Sequence, residues 1–317
     1  MTLGEIYGFF VRQGIAKDLR RKSEIAAKLA ETKKQYRSLS RLEKKLFDKD
    51  SLTNPYSDTR VLFGDRSLEV KRILVGIDIE VGEILLADRL SQKGKKIDLI
   101  FGHHPEGIAL AGLYDVMGLQ ADILHHLGVE KNIAKMLMDS RMDEVARRLH
   151  GGNHTRAVDA ARLLNIPFLC CHTPSDNFVN QYLQKKIDSA KPRSLRDIIS
   201  LLLKEPEYQD AVINKAGPTI LIGKPADKPG KVLVDMTGGT EGSKEVFARM
   251  SQLGVKTYVG MHLSEDHYNR IKSEHINVII AGHIASDNLG INLLLDQLER
   301  KDDFEFISCS GFKRVRH

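Results

Sequence analysis

This sequence of 317 residues has few cysteines and no long apolar run, and most of the chain carries no excess of charge. Its three cysteines form no CxxC pair and no disulfide framework, so we expect a reducing, cytoplasmic compartment. No run of 18 apolar residues occurs, so we expect neither a transmembrane helix nor a membrane partner. The first residues, MTLGEIYGFF, contain an early acid and no small-residue cleavage site, so no signal peptide is expected.

The excess of positive charge is confined to the first 50 residues of the chain. The net charge is +6, and residues 1–50 hold 13 Lys and Arg against 7 Asp and Glu, so residues 51–317 sum to zero. Nucleic acid is therefore not expected as a partner. Residues 15–49 contain no Gly or Pro, which predicts a long helix or a helical hairpin. Such a segment either binds a partner helix or an acidic surface, or packs on its own domain with a solvated face.

Short apolar runs and amphipathic segments alternate from Val61 onward. This β-α-β order with short connections predicts the α/β class with mainly parallel sheets. The rhythm divides into two halves, the second of which ends with the strand FEFISCS. We therefore expect a basic helical arm at residues 1–57, a first α/β lobe at 58–190 and a second α/β lobe at 191–317.

The segment IDLIFGHHPE, residues 97–106, ends an apolar run in two adjacent histidines, His103 and His104. Adjacent strand residues point to opposite faces, so both imidazoles can converge only if the chain leaves the strand between them. Gly102 and Pro105 permit that departure. The alternative is a solvated loop that happens to contain two histidines.

Two further strand ends carry the same kind of sequence. FLCCHTPSD contains His172 and Asp176, and VIIAGHIASD contains His283 and Asp287. The carboxyl ends of parallel strands lie along one sheet edge, so we expect these residues to converge with the adjacent histidines. Imidazole and carboxylate ligands without thiolate suit Zn, Mn or Fe(II), and paired histidines with a bridging carboxylate indicate two divalent metal ions.

Through HHP, the HTxxD of residues 172–176 and the GHxxxD of residues 282–287, the chain resembles the NIF-three-like family, also named GTP cyclohydrolase I type 2 homologues. A strand that ends in Asp78 supports the resemblance, which covers residues 58–317. It implies two α/β lobes around a dinuclear metal centre and a hexamer built from dimers. The ligands it implies are His103, His104, Asp176, His283 and Asp287, with Asp176 as the bridging carboxylate.

The sequence departs from the family pattern at four places, one of which is the basic arm at residues 1–50, longer than the family's usual start. Asp287 stands where the family usually has Glu, and this shorter side chain is expected to bind one metal only, or to bind through water. The family's early aromatic-Asp-Asn motif is absent, and residues 54–58 (NPYSD) are the nearest segment to it. The later strand YVGMH lacks the family's Thr-Gly-Glu. These departures bear on the substrate, which the sequence does not identify.

Other polar residues are candidates for roles around the metals. His267, and less so His262, flank a strand-to-helix turn and are candidate general acids or bases, while His172 is a candidate for catalysis, for metal ligation or for support of a ligand. Asp78 and Glu80 either support a ligand or cap a helix. The glycine-rich turn in residues 234–244 either binds an anion or is a tight turn.

Two functions fit these features. The first is a metal-dependent hydrolase in which a metal-bound hydroxide attacks a nucleotide-like or other small polar substrate. Cyclohydrolase activity is implied only by the family's name. The second is a non-catalytic, metal-dependent regulatory or protein-interaction factor.

Overall fold

The computed structural model describes all 317 residues. The strands are β1 (Thr59–Phe63), β2 (Arg72–Gly76), β3 (Leu99–Gly102), β4 (Phe168–Cys171), β5 (Thr219–Ile222), β6 (Lys231–Asp235), β7 (Val255–Gly260), β8 (Asn277–Ile280) and β9 (Glu305–Ser308). A short 3-10 helix spans Lys49–Leu52. The α-helices are α1 (Leu3–Lys17), α2 (Lys22–Ser38), α3 (Arg41–Leu46), α4 (Val81–Gln92), α5 (Gly107–Ala111), α6 (Leu113–Val116), α7 (Gly118–Leu127), α8 (Lys131–His150), α9 (Arg156–Leu163), α10 (Thr173–Ala190), α11 (Leu195–Leu202), α12 (Pro206–Ile213), α13 (Val246–Gln252), α14 (Glu265–Ser273) and α15 (His283–Glu299).

Two mainly parallel sheets organise the chain, which confirms the predicted α/β class. The first has the strand order β1-β4-β3-β2-β9, and the second has the order β5-β8-β7-β6. Only the edge strands β1 and β5 run antiparallel to their neighbours. In β3 and β4 every residue is buried, as expected for parallel strands covered on both faces.

Helices α10 and α15 pack against each other and contribute to the cores of both sheets. In α15, Leu289 belongs to the second-sheet core, whereas Leu294 and Leu298 belong to the first. The two helices approach closely at Gly290, where an added Cβ would lie 2.5 Å from the carbonyl oxygen of Ser175. Both helices begin just after a strand of one of the sheets, so this crossing sets the relative position of the two helix N-termini.

The N-terminal segment consists of two parts that differ in burial. Helix α1 is amphipathic and buries Leu3, Ile6 and Phe10 in the core of the first sheet. Helices α2 and α3 are largely exposed, and Ile25 is the one buried residue between them. Between α1 and α2 the chain turns at Asp18, whose buried carboxylate accepts hydrogen bonds from the Arg20 side chain. The segment 15–49, predicted as one long helix or a helical hairpin, is divided among the end of α1, the helices α2 and α3 and the start of the 3-10 helix.

Strand β9 lies in the first sheet, where Arg72 of β2 pairs with Glu305. The sequence rhythm had placed this closing strand in the second lobe, and the structure corrects that placement. The reason is that α15 carries the chain from the second-sheet core back to the first, so the chain emerges beside β2. The remaining division into 1–57, 58–190 and 191–317 stays a proposal. None of the helices has the length and apolar character that a membrane crossing requires.

We predict that Gly290→Ala lowers the free energy of unfolding by about 1–3 kcal/mol, because the new methyl group overlaps the Ser175 carbonyl. Urea denaturation followed by circular dichroism measures this change. Gly82→Ala is the matched control, since Gly82 lies in α4 with open space around its Cα, and its stability should be unchanged or slightly higher. Equal stabilities of the two variants would contradict the proposed close crossing.

Candidate metal centre

The two adjacent histidines follow directly after the end of β3 at Gly102. Their backbone N–H groups both donate to the carbonyl of Ile77, so the chain turns over the end of β2. His103 is fully buried, whereas His104 is partly exposed. Their rings are 5.2 Å apart between centroids and therefore face a common region.

Helices α10 and α15 each present a histidine and an aspartate from their first turns. His172 is the N-cap residue of α10 and Asp176 follows four residues later, while His283 begins α15 and Asp287 follows at the same spacing. This i, i+4 spacing places the two side chains of each pair on one helix face. Because the helices cross near Gly290 and Ser175, both pairs reach the strand-end histidines.

The nitrogen and oxygen atoms of these side chains face one another at 3.4 to 3.7 Å. His103 Nε2 is 3.4 Å from Asp176 Oδ1 and 3.4 Å from Asp287 Oδ1. Asp287 Oδ2 is 3.4 Å from His104 Nε2 and 3.5 Å from His283 Nε2. Three groups of donors are close enough to share an ion: His103, His104 and His172; His104, His283 and Asp287; His103, Asp176 and Asp287.

Outer hydrogen bonds fix three of the imidazoles. His103 Nδ1 donates to Ser175 Oγ at 3.1 Å, since that hydroxyl already donates to backbone carbonyls. His104 Nδ1 donates to Asp78 at 2.6 Å, and His172 Nδ1 donates to Asp58 at 3.0 Å. In each case the Nε2 lone pair is left directed into the cluster, which is how metal-ligating histidines are usually oriented.

Three buried polar atoms in this cluster have no hydrogen-bond partner: His103 Nε2, Asp287 Oδ1 and Asp287 Oδ2. An unpaired buried polar atom costs free energy, and native structures rarely keep one without a reason. Here the unpaired atoms are all Lewis bases and face one another. Their arrangement therefore fits divalent cations that accept imidazole and carboxylate ligands.

Burial and mutual charge shift the pKa values of these groups. Burial lowers the pKa of His103 to about 4. Burial and the charge of Asp287 raise the pKa of Asp176 to about 8. Burial opposes protonation of His172, but Asp176 and Asp58 outweigh it and raise its pKa to about 9. Burial likewise opposes ionisation of Asp287, but His103 and His104 hold its pKa well below the ordinary value. Without cations, protons thus offset part of the negative charge.

A cavity of about 740 Å³ adjoins the cluster and is lined by His172, Asp176 and His283 together with the glycine-rich turn. His267 and His262 also line it. His262 lies close to the cluster, with its ring centroid 4.8 Å from that of His283. His267 is in none of the donor groups. Its Nδ1 accepts from Ser264 Oγ, and its Nε2 donates to the Gly242 carbonyl.

Asp58 and Ser175 are site residues that the sequence alone did not single out. Asp58 is fully buried and accepts hydrogen bonds from His172 and from the Thr173 hydroxyl. It reaches them because β1 pairs antiparallel with β4, with Thr59 opposite Cys171. Asp58 is visible in the sequence as the acidic residue that ends NPYSD, but the pairing of β1 with β4 that brings it to His172 is not. Asp78 and Glu80, predicted together, separate: Asp78 contacts His104, and Glu80 is the N-cap of α4.

The sequence matches the profile of the Duf34/NIF3 (NGG1p interacting factor 3) family over residues 42–311. The chain belongs to this family. A crystal structure of a NIF3 superfamily protein from Sphaerobacter thermophilus is similar, with a TM-score of 0.69 and 28% identity over 80% of this chain and 91% of that chain. The Duf34/NIF3 fold expected from the histidine motifs is thus confirmed.

Two more distant solved structures also match. Reduced HcgD from Methanocaldococcus jannaschii is 16% identical, with a TM-score of 0.48 over 83% of this chain and 93% of that chain. The protein TTHA1606 from Thermus thermophilus is 12% identical, with a TM-score of 0.44 over 79% of this chain and 86% of that chain. Among curated proteins, no sequence matches this member of the family.

We predict that the chelator-treated protein loses stability as the pH rises from about 6.5 to about 9. His172 and Asp176 have raised pKa values in the folded state, so the folded chain holds protons that the unfolded chain has released over this range. That contribution is fully present at low pH and is lost as the pH passes through the folded pKa values. Urea denaturation at a series of pH values measures it.

Asp176→Asn should make this pH dependence shallower, because it removes one titrating group and lowers the pKa of His172. A stability profile that is flat between about pH 6.5 and 9, or one that is unchanged by Asp176→Asn, would contradict the prediction.

Proposed function

We propose that this Duf34/NIF3 protein binds two divalent metal ions (Zn, Mn or Fe) and acts as a metal-dependent hydrolase on a nucleotide-like or other small polar substrate. The observation that carries the proposal is the convergence of four imidazoles and two carboxylates around buried donor atoms that have no other partner. When bound, such ions activate water and polarise carbonyl or phosphoryl oxygens.

The proposed ligands are His103, His104, Asp176, His283 and Asp287. Asp287 is the better candidate for the bridging carboxylate, since its Oδ1 faces His103 and its Oδ2 faces His104 and His283. The family resemblance had assigned the bridge to Asp176. His172 is suited to ligation as well as to catalysis, because its Nε2 faces the cluster and Asp58 holds its Nδ1–H.

Proton transfer is proposed for side chains that line the cavity. His262 is half-exposed and lies beside His283, so its ring can exchange protons with a molecule in the cavity. His267 stays a predicted catalytic residue. Its present hydrogen bonds support a positioning role, since it holds the Gly242 carbonyl of the glycine-rich turn. That turn remains a candidate for binding an anionic group of the substrate.

We predict that His103→Ala/His104→Ala, loaded with Zn²⁺ or Mn²⁺ and desalted, carries two ions per chain fewer than the wild-type protein treated in the same way. The reason is that each of the three donor groups at this centre contains at least one of these histidines. Elemental analysis by inductively coupled plasma mass spectrometry measures the content.

The matched control is His125→Ala/His126→Ala. This second adjacent pair lies on α7, where His125 bonds to the Val129 carbonyl and His126 bonds to Glu24. It should bind as many ions as the wild type. Substoichiometric metal in the wild type, with no difference from the His103→Ala/His104→Ala variant, would refute the metal centre.

Hydrolysis is tested with nucleotides and phosphoesters in the presence of Mn²⁺, Zn²⁺ or Fe²⁺. We expect turnover by the wild type and by the His125→Ala/His126→Ala control, and a loss of at least a hundredfold in His103→Ala/His104→Ala. Product formation is followed by chromatography. Turnover that persists in His103→Ala/His104→Ala would place the hydrolysis elsewhere.

The second candidate function is a metal-dependent regulatory or protein-interaction factor. The observation that favours it is the exposure of Leu42 (67%) and Leu46 (79%) on α3, within the basic N-terminal segment. A metal-loaded protein without turnover on any substrate class would favour this alternative. Assembly into a hexamer and a cytoplasmic location stay predictions from the family resemblance and the cysteine content.

A further inference from the structure

A second group of metal-ligand side chains lies outside the strand-end cluster. Glu205 and Glu207 stand at the start of α12, and His317 is brought against them by residues 313–317. The three residues offer two carboxylate oxygens and one imidazole nitrogen within 4.8 Å of one another. None of the three lines the cavity or belongs to the candidate metal centre around His103, here called the first centre. The group is therefore a separate feature.

Both carboxylates are buried, which is unusual for glutamate. His317 Nε2 is 2.8 Å from Glu207 Oε1, and His317 Nδ1 is 3.7 Å from Glu205 Oε2. Glu207 Oε1 also accepts a hydrogen bond from Asn292 at 2.8 Å. The other oxygen of the same carboxylate, Glu207 Oε2, is buried and has no partner.

Residues 313–317 are also held in place by contacts to residues outside this group. Lys313 pairs with Asp210 at 2.8 Å, and the Val315 N–H donates to Asn292 Oδ1 at 3.1 Å. The His317 N–H donates to Asp296 at 2.9 Å. Several anchors on α12 and α15 thus fix the backbone that carries the imidazole, so His317 does not depend on Glu207 alone for its position.

We propose that Glu205, Glu207 and His317 form a second divalent-cation site, of the type that binds Zn²⁺, which ties residues 313–317 to α12. Zn²⁺ accepts oxygen and imidazole ligands in a set of three protein donors and leaves a position for water. The ion would satisfy Glu207 Oε2, which no side chain in the structure reaches. The site is independent of the hydrolase proposal, because it shares no residue with the first centre.

Lys186 is the competitor for this site, since its ammonium contacts Glu205. Its side chain is partly exposed and flexible, so an ion with two positive charges can displace it into solvent. Tyr182 also donates to Glu205 Oε1, at 3.0 Å, and this bond leaves Oε2 free to bind the ion.

The test is the number of zinc ions bound per chain, measured by equilibrium dialysis of the full-length protein against Zn²⁺. We expect Glu207→Gln and His317→Ala each to bind one ion fewer than the wild type, or to bind one equivalent at least tenfold more weakly. His317→Ala leaves the backbone contacts of Val315 and His317 in place and therefore carries little risk of misfolding. The same loss of one ion should appear when either change is added to His103→Ala/His104→Ala.

The matched control is Asp210→Asn, which removes the ion pair to Lys313 but no proposed ligand, and it should bind as many ions as the wild type. Crystals of the zinc-loaded protein should show an anomalous difference peak between Glu205, Glu207 and His317 at the zinc edge. Equal zinc counts in wild type, Glu207→Gln and His317→Ala, or the absence of that peak, would overturn the proposal.

Discussion

The close packing of α10 against α15 is the constraint on which the site depends. It brings Asp176 and Asp287 to the same buried imidazole, His103 Nε2, at 3.4 Å each. Two facing carboxylates in a poorly solvated interior repel each other, so this packing is unfavourable unless positive charge is supplied. The raised pKa values of Asp176 and His172 mean that, without cations, these two side chains hold protons that reduce the repulsion. Divalent cations would meet the same requirement with more charge.

Much of this arrangement could be predicted from the sequence because parallel α/β topology makes separate strand ends neighbours. The motifs around His103, His172 and His283 therefore predicted a shared site although they lie far apart in the chain. What local pattern cannot give is pairing between distant segments. Asp58 reaches His172 only because β1 runs antiparallel to β4, and β9 joins β2 only because α15 returns the chain to the first sheet. Neither pairing has a signature in its own residues.

The N-terminal segment illustrates a different limit. Its net charge predicted a basic arm over residues 1–57, and charge does concentrate on the exposed helices α2 and α3. Averaging over the whole segment, however, concealed the apolar face of α1, with Ile6 and Phe10 in the core of the first sheet. Burial of such a face stabilises the fold by several kcal/mol, on the order of 1.5–3 per large side chain, so packing and not charge decides where this helix lies.

The presence of Asp287 where the family usually has Glu is best understood from helix position. A side chain shorter by one methylene was expected to reach only one metal, or to need a bridging water. In the structure the start of α15 lies close enough that Asp287 Oδ1 faces His103 while Oδ2 faces His104 and His283. The backbone approach at Gly290 permits that position, since any larger residue there would push α15 away from Ser175. The length of the side chain at position 287 and the distance between α15 and α10 thus together determine whether its carboxylate reaches the histidines. A longer side chain at position 287 would therefore require a larger distance between the two helices, and a larger residue at position 290 would require a longer side chain at position 287.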